Sequence, residues 1–292
     1  MATLTITSNG LPNPAQFGKA FGNNAFAPSA NTAQSQSYNY SFTFRGGENT
    51  TNAQLTTALT PLGIMSNGVV FYSPSSGVGV VPPGLSAIDD APATGFEYNA
   101  VQFRGNYGGD DAGGWPETNG QYHYMSAMFL FLPTGSSETG PAWSTTMIDT
   151  DASPTPTYYA GSDFGGDKFR HADGHSKIVG YCFDGYPIYG PFGYSDFNDP
   201  LSVVIRMTSS YQYYGSERPG RDYLYSEKTA GTFVNDHEFQ IGTGTLDQYN
   251  GRFTKTLEYP DGTYAYFMTV DTNNQPVYPY IVGPSTKQQR AF

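Results

Sequence analysis

The residues with the widest chemical reach in this 292-residue chain are its four histidines, His123, His171, His175 and His237. Imidazole changes charge near neutral pH and ligates transition metals through a ring nitrogen. His171 and His175 are four apart, which on a helix would turn both rings to one side as a metal clamp. The residues between them, Ala172-Asp173-Gly174, favour a turn over a helix. A turn can still bring both rings to one ion, with His123 as a third ligand. The other use of such histidines is structural, each ring bonding a neighbouring backbone and fixing its loop. Asp110-Asp111, in a glycine-rich loop from Asn106 to Gly114, offers oxygen ligands suited to calcium, although without EF-hand spacing.

Other chemistries find no support. There is no G-x-S-x-G nucleophile elbow and no phosphate-binding G-x-x-x-x-G-K-[ST]. His237-Glu238 does not extend to H-E-x-x-H, because position 241 is Ile. The single cysteine, Cys182, excludes an internal disulfide and a cysteine pair for zinc, and it reads as a small buried residue. Paired carboxylates for glycoside hydrolysis cannot be singled out. The expectation is a protein without enzymatic activity.

Composition narrows the partners. The net charge is −11 and no cluster of Lys and Arg exists, which argues against nucleic acid and anionic membranes. No run of 18 apolar residues is present, and the first residues lack the basic and apolar regions of a secretion signal. Synthesis in a cytoplasm, with no need of an oxidising compartment, is expected. Aromatics reach 16% and Gly and Pro number 35 and 21, with turn residues punctuating short aromatic runs. That pattern predicts an all-β sandwich, jelly-roll-like.

The elements that must position the histidines centre on Gly180–Pro191, GYCFDGYPIYGP. Asp184-Gly185 between two aromatic runs predicts a tight hairpin with positive φ at both turn residues. The same form, G-x-x-x-[ND]-G-x-x-x-Y-x-P, occurs at Gly63–Pro74. A second pair follows in the same order: Trp115-Pro116-Glu117 leading to Tyr122-His123-Tyr124, and Tyr259-Pro260-Asp261 leading to Tyr264-Ala265-Tyr266. The chain therefore reads as an internal duplication of a hairpin-containing β unit. Residues 1–37 form an N-terminal strand and arm, 38–150 a first β half and 151–292 a second, which together build one sandwich or two units.

Along the chain, Leu4–Thr7 and Tyr38–Phe44 alternate as strands, the latter with Tyr38, Tyr40, Phe42 and Phe44 on one face. Asn52–Leu59 has helical character, and Pro74–Gly95 reads as a long loop. Phe96–Phe103, Tyr122–Leu132 and Leu201–Met207 read as strands, and Val277–Val282 as an edge strand interrupted by Pro279. The Ser-, Thr- and Pro-rich stretch Thr134–Pro156 is the expected boundary between halves. Tyr211, Tyr213, Tyr214 and Tyr223, around Arg218 and Arg221, suit either an interface loop or an ordinary edge loop.

The stretch His175–Pro191 (HSKIVGYCFDGYPIYGP) resembles the YHYH-domain family. Tyr122-His123-Tyr124 sits where the naming motif would, Leu246–Phe253 with Glu258–Tyr264 resembles the closing block, and Ser8–Pro12 the opening one. The chain departs from the family at Pro14, Trp115 and Met125, where relatives often carry histidine. The resemblance implies that His123, His171, His175 and Asp184 remain as scaffold or as a partial site for calcium or a transition metal. Family members include secreted bacterial proteins and virion-associated proteins of marine phages, especially cyanophages. The resemblance, with no secretion signal in view, implies a structural protein of a phage virion, in the tail, baseplate, neck or capsid surface. Its partners would be other virion proteins in a symmetric multimer. Two alternatives stand beside it: a metal- or glycan-binding β module, with receptor binding as one use of it, and a metal-dependent hydrolase.

Overall fold

Strands dominate because β-branched and aromatic residues fill the runs between turn residues. The computed structural model describes residues 3–11, 31–47, 49–56, 60–78, 80–83, 97–104, 106–109, 114–126, 170–214, 230–272 and 275–291. In chain order the strands are β1 (Thr3–Ser8), β2 (Tyr38–Thr43), β3 (Gln54–Leu55), β4 (Gly63–Met65), β5 (Val70–Phe71), β6 (Ser75–Val78), β7 (Glu97–Asn99), β8 (Gly114–Pro116) and β9 (Tyr122–Tyr124). They continue with β10 (Ile178–Cys182), β11 (Pro187–Tyr189), β12 (Phe192–Tyr194), β13 (Val204–Arg206), β14 (Tyr211–Tyr213), β15 (His237–Phe239), β16 (Gly251–Thr254), β17 (Thr263–Phe267) and β18 (Ser285–Thr286). A single 3-10 turn, Val234–Asp236, is the only helical element among the described residues. No helix there is long and apolar enough to cross a membrane. The all-β, sandwich-like class expected from composition is the one observed.

Eight strands make one sheet in the order β16-β17-β11-β10-β4-β5-β9-β8. It reads the same from either end. In one quartet β4 and β5 form an antiparallel hairpin, β5 runs parallel to β9, and β9 pairs antiparallel with β8. In the other, β10 and β11 form the hairpin, β11 runs parallel to β17, and β17 pairs antiparallel with β16. The quartets meet at the antiparallel pair β4–β10, where Ile64 faces Tyr181, Met65 faces Gly180 and Gly63 faces Cys182. Ile64 and Tyr181 occupy the same position of the sequence repeat, so a local two-fold axis passes between them.

The hairpin turns differ from expectation. Only the glycines, Gly68 and Gly185, have positive φ, at 85° and 96°. Gly68 N–H donates to the Met65 carbonyl and Met65 N–H to the Val69 carbonyl, both at 2.8 Å. The second hairpin repeats this with Gly185 to Cys182 and Cys182 to Tyr186. Each is a three-residue loop whose last member is the left-handed glycine. Asn67 and Asp184 contribute a side-chain oxygen instead, accepting the N–H two residues on, at 3.2 and 3.3 Å.

Alternation splits the sheet between two faces. Met65, Cys182, Ile188, Tyr264 and Tyr266 join the main core, with Tyr122 and Tyr124 from β9. On the other face, the β1–β2 ribbon covers Ile64 and Phe183 with Phe42, Leu4 and Ile6. The β12–β13 ribbon supplies Ile205 to a cluster of Tyr189, Ala265 and Phe267. Phe44 lies just beyond β2 and packs on Tyr181 and Tyr259, each at 5.8 Å between ring centroids.

Several local expectations are corrected. Asn52–Leu59 is not helical where described: β3 pairs with β18, because the C-terminal tail supplies the backbone partners. Within Pro74–Gly95, Ser75–Val78 is a strand, paired with β7. Strand β7 covers only Glu97–Asn99, after which the chain turns. Leu201 lies in a turn ahead of β13. Val277–Val282 is a chain of turns, since Pro279 has no N–H to give and Tyr280 takes φ 73°. The boundary expected at Thr134–Pro156 lies outside the described residues.

Candidate functional site

The segment HADGH folds as the turn its residues predict. His171 N–H donates to the His175 carbonyl at 2.8 Å and Gly174, at φ 95°, N–H donates back to His171 at 2.9 Å. The turn leads into β10 and holds its two rings 6.5 Å apart. His171, half-buried, meets Glu258 at 2.7 Å from Nε2 to Oε1. The other Glu258 oxygen accepts the Tyr189 hydroxyl at 3.1 Å, and that hydroxyl lies 2.9 Å from Thr256 Oγ1. Burial pushes the Tyr189 phenol up, so it remains a hydrogen-bond donor at any ordinary pH.

His175 is fully buried. Its Nδ1 lies 2.6 Å from the Ser176 carbonyl, which places the proton on Nδ1 and leaves Nε2 without a partner. Tyr194 at 4.5 Å, Tyr189 at 5.3 Å and Phe267 at 6.2 Å enclose the ring. Burial holds its pKa below the usual histidine value, against the opposing pull of the Ser176 carbonyl, Glu258 and Asp173. Asp173 accepts the His175 N–H at 2.9 Å and the Tyr194 hydroxyl. Burial raises the Asp173 pKa, but these hydrogen bonds and the two histidines outweigh it and hold the carboxyl below its ordinary value.

His123 lies elsewhere, in the middle of β9 with no exposed surface. Its ring stacks on Tyr72 at 4.3 Å and meets the Trp115 edge at 5.1 Å. Glu117 Oε1 approaches Nε2 only to 3.6 Å, and neither ring nitrogen makes a hydrogen bond. His237 is on β15, stacked on Tyr278 at 4.1 Å.

Asp184 is buried in the second hairpin turn. Its Oδ2 accepts the Tyr266 hydroxyl at 2.6 Å and the Gln288 N–H at 3.2 Å. The first hairpin does the same work without charge: Asn67 Nδ2 donates to the Tyr124 hydroxyl at 3.1 Å. Burial raises the Asp184 pKa to about 6, above the pull of its donors. A carboxyl whose folded pKa is raised stabilises fully below its unfolded value, near 3.8, and loses that contribution as pH rises through the folded one. The difference corresponds to about 3 kcal/mol. Asp184→Asn is therefore expected to gain on the parent by about this amount between pH 4 and 7. Urea unfolding of both proteins across that range checks it, and a constant difference would refute it.

The proposed ligand set of His123, His171, His175 and Asp184 is thus not gathered. Each of the four faces different neighbours, and among the described residues no group of three or more His, Cys, Asp or Glu is placed to hold a metal ion. The physical reason is that packing and hydrogen bonding have claimed these side chains separately. Asp110 and Asp111 lie outside the described residues. The residue missed from sequence is Glu258, the carboxylate that joins His171 to Tyr189. Its signal was its place in the closing block, Glu258–Tyr264.

Of the expected interface residues, Tyr211 and Tyr213 are on β14 and Tyr214 follows it. Tyr211 donates to the Gln248 carbonyl at 2.8 Å and packs edge-on against Tyr278 at 5.3 Å, which makes it partly a core residue. Tyr213 is half exposed. Arg218, Arg221 and Tyr223 lie outside the described residues.

No curated protein and no solved structure matches this chain. Comparison with protein families matches residues 39–279 to the family described as YHYH protein, and with most of its length inside that match the chain belongs to the YHYH protein family.

Proposed function

We propose that this protein is a non-enzymatic structural component of a phage virion that works by protein–protein contact. The observation that carries the reading is a rigid loop displaying apolar side chains to solvent. Leu201 is 93% and Val203 73% exposed, with Phe197 and Leu257 also open. The loop is not slack. Asp196 accepts the Asn198 N–H at 2.8 Å, Asp199 the Leu201 N–H at 2.9 Å, and Ser202 Oγ donates to the Asp199 carbonyl at 2.8 Å. Lys255 N–H donates to the Phe197 carbonyl at 2.8 Å, tying the loop to the segment that carries Leu257. Covering such a surface gains about 25 cal/mol per Å² of apolar area, and a pre-ordered loop loses little entropy when covered. The net charge of −11 suits a position away from packaged DNA. The sequence resemblance to virion-associated relatives supports the phage assignment.

The test is quantitative mass spectrometry, with cross-linking, on purified particles of a phage that encodes this chain. The expected result is a fixed stoichiometry and cross-links from Lys255 to a neighbouring virion protein. Leu201→Ser with Val203→Ser should leave the melting temperature unchanged and reduce incorporation. Absence from particles, with abundance in the infected-cell lysate, would overturn the assignment.

A further inference from the structure

A cleft of about 730 Å³ opens between β6, the start of β7, the residues after β14, the 3-10 turn and the C-terminal turns. That volume is within the range of sites for small ligands. Its described lining combines aromatic rings, carboxylate, hydroxyl and amide groups: Tyr214, His237, Tyr278, Glu97, Ser75 and Asn235. The aromatic wall is braced from behind. Tyr278 stacks on His237 with an interplanar angle of 13°, and Tyr213 also packs on the His237 ring, at 4.7 Å and tilted. Tyr214 is held by its N–H, which donates to the Asp236 carbonyl at 3.1 Å. The polar wall is also fixed: Ser75 Oγ donates to Glu97 Oε2, and Glu97 N–H donates to Asn235 Oδ1 at 2.8 Å.

The charges select the ligand class. No Lys or Arg is among the described lining residues, and the one formal charge is that of Glu97. Burial lowers the His237 pKa to about 4, against the Val234 carbonyl and Asp236, so this ring is neutral at physiological pH. An anion would meet a carboxylate and no cation. Tyr278 is buried and the His237 ring is occupied by its aromatic neighbours, so the partly exposed Tyr214 ring is the one available for stacking. An aromatic ring in the same lining as a carboxylate, a hydroxyl and an amide matches a pyranose, whose C–H face packs on aromatics while its hydroxyls bond to the polar groups.

We propose that this cleft binds a neutral oligosaccharide. The inference does not rest on the virion assignment, since particle incorporation and glycan binding are read out separately. The test is a printed array of neutral and anionic glycans probed with the full chain, followed by calorimetry on any hit and on choline as a small cation. Tyr214→Ala and Glu97→Gln are the variants, each checked for an unchanged melting temperature. The expected result is a neutral glycan hit whose affinity falls at least tenfold in each variant. Glu97→Gln with Tyr214→Leu, which removes the ring but keeps an apolar side chain, serves as the milder pair if Tyr214→Ala does not fold. No neutral hit would overturn the proposal. So would binding insensitive to both variants, or binding of choline alone.

Discussion

His123→Phe should stabilise the protein at neutral pH by about 1–2 kcal/mol and remove its share of the acid sensitivity, leaving those of the buried His175 and His237. The imidazole is fully buried between Tyr72 and Trp115, with both ring nitrogens lacking a hydrogen bond. A buried polar group left unpaired costs about 1–3 kcal/mol, and a phenyl ring keeps the stacking without that cost. The slightly larger ring takes back part of the gain through crowding. Burial lowers the His123 pKa to about 3; the Gln121 backbone pulls it up from outside hydrogen-bond geometry and offsets only part of this. A histidine whose folded pKa is depressed stabilises fully above its unfolded value and loses that contribution as pH falls. The window runs from 6.5 down to about 3. The unfolded chain takes up the proton first, at about 1.4 kcal/mol per pH unit. Urea unfolding at pH 7 and at pH 5 separates the two effects. A variant that is less stable at pH 7 and keeps the parental acid slope would show that His123 is satisfied in some other way.

The second large effect belongs to the seam between the quartets. A methyl group at Gly63 would overlap the Tyr181 carbonyl oxygen and the Phe71 ring, and would lie 2.8 Å from Cys182 Cα. At Gly180 it would meet the Ile64 carbonyl oxygen at 2.8 Å and Met65 Sδ at 2.7 Å. Two of the Gly63 neighbours are backbone atoms of the opposite strand, so relief requires the strands to part. Gly63→Ala is expected to cost roughly 3 kcal/mol or more, the upper end for overpacking. Gly180→Ala should cost less, because its backbone neighbours, the Ile64 carbonyl oxygen at 2.8 Å and Met65 Cα at 3.1 Å, stand farther off, and the Met65 thioether can swing aside. Gly242, with nothing within 4 Å of an added methyl, provides the control for backbone strain at φ 83° alone. Thermal unfolding of the three variants ranks them. A Gly63→Ala protein as stable as Gly242→Ala would mean that β4 and β10 are not closely apposed.

What could be read from the sequence follows from which residues carry backbone demands. Glycine, Asx, tyrosine and proline at fixed spacing exposed the repeated hairpin, and the Tyr alternation exposed β9 and β17. The parallel pairing of β5 with β9 and of β11 with β17 had no local signal, since each joins segments far apart in the chain. In the second pair the tyrosine strands, Tyr122–Tyr124 and Tyr264–Tyr266, correspond as the sequence predicts, whereas Trp115 and Tyr259 do not. Trp115 lies opposite His123 on β8, and its counterpart on β16 is Arg252, opposite Ala265, while Tyr259 belongs to the turn beyond. The better anchors were Gly114 and Gly251, each of which sits under the hydroxyl of its cross-strand tyrosine, Tyr122 or Tyr264, with no room for a side chain. At the candidate site the turn between His171 and His175 was legible from Asp-Gly. The partner carboxylate Glu258, 87 residues from His171, was not.

The seam has the geometry of a symmetric dimer contact, in which position i meets position j and j meets i. In a true dimer of identical halves, every position would serve twice, and a charge buried in one copy would be buried in the other. Carried on a single chain, equivalent positions are free to differ. Asn67 holds Tyr124 with an amide while Asp184 holds Tyr266 with a carboxylate. His123 fills a place where the other half needs only Ala265. The protein thus keeps the economy of a two-fold sheet while giving each end its own polarity and its own response to pH.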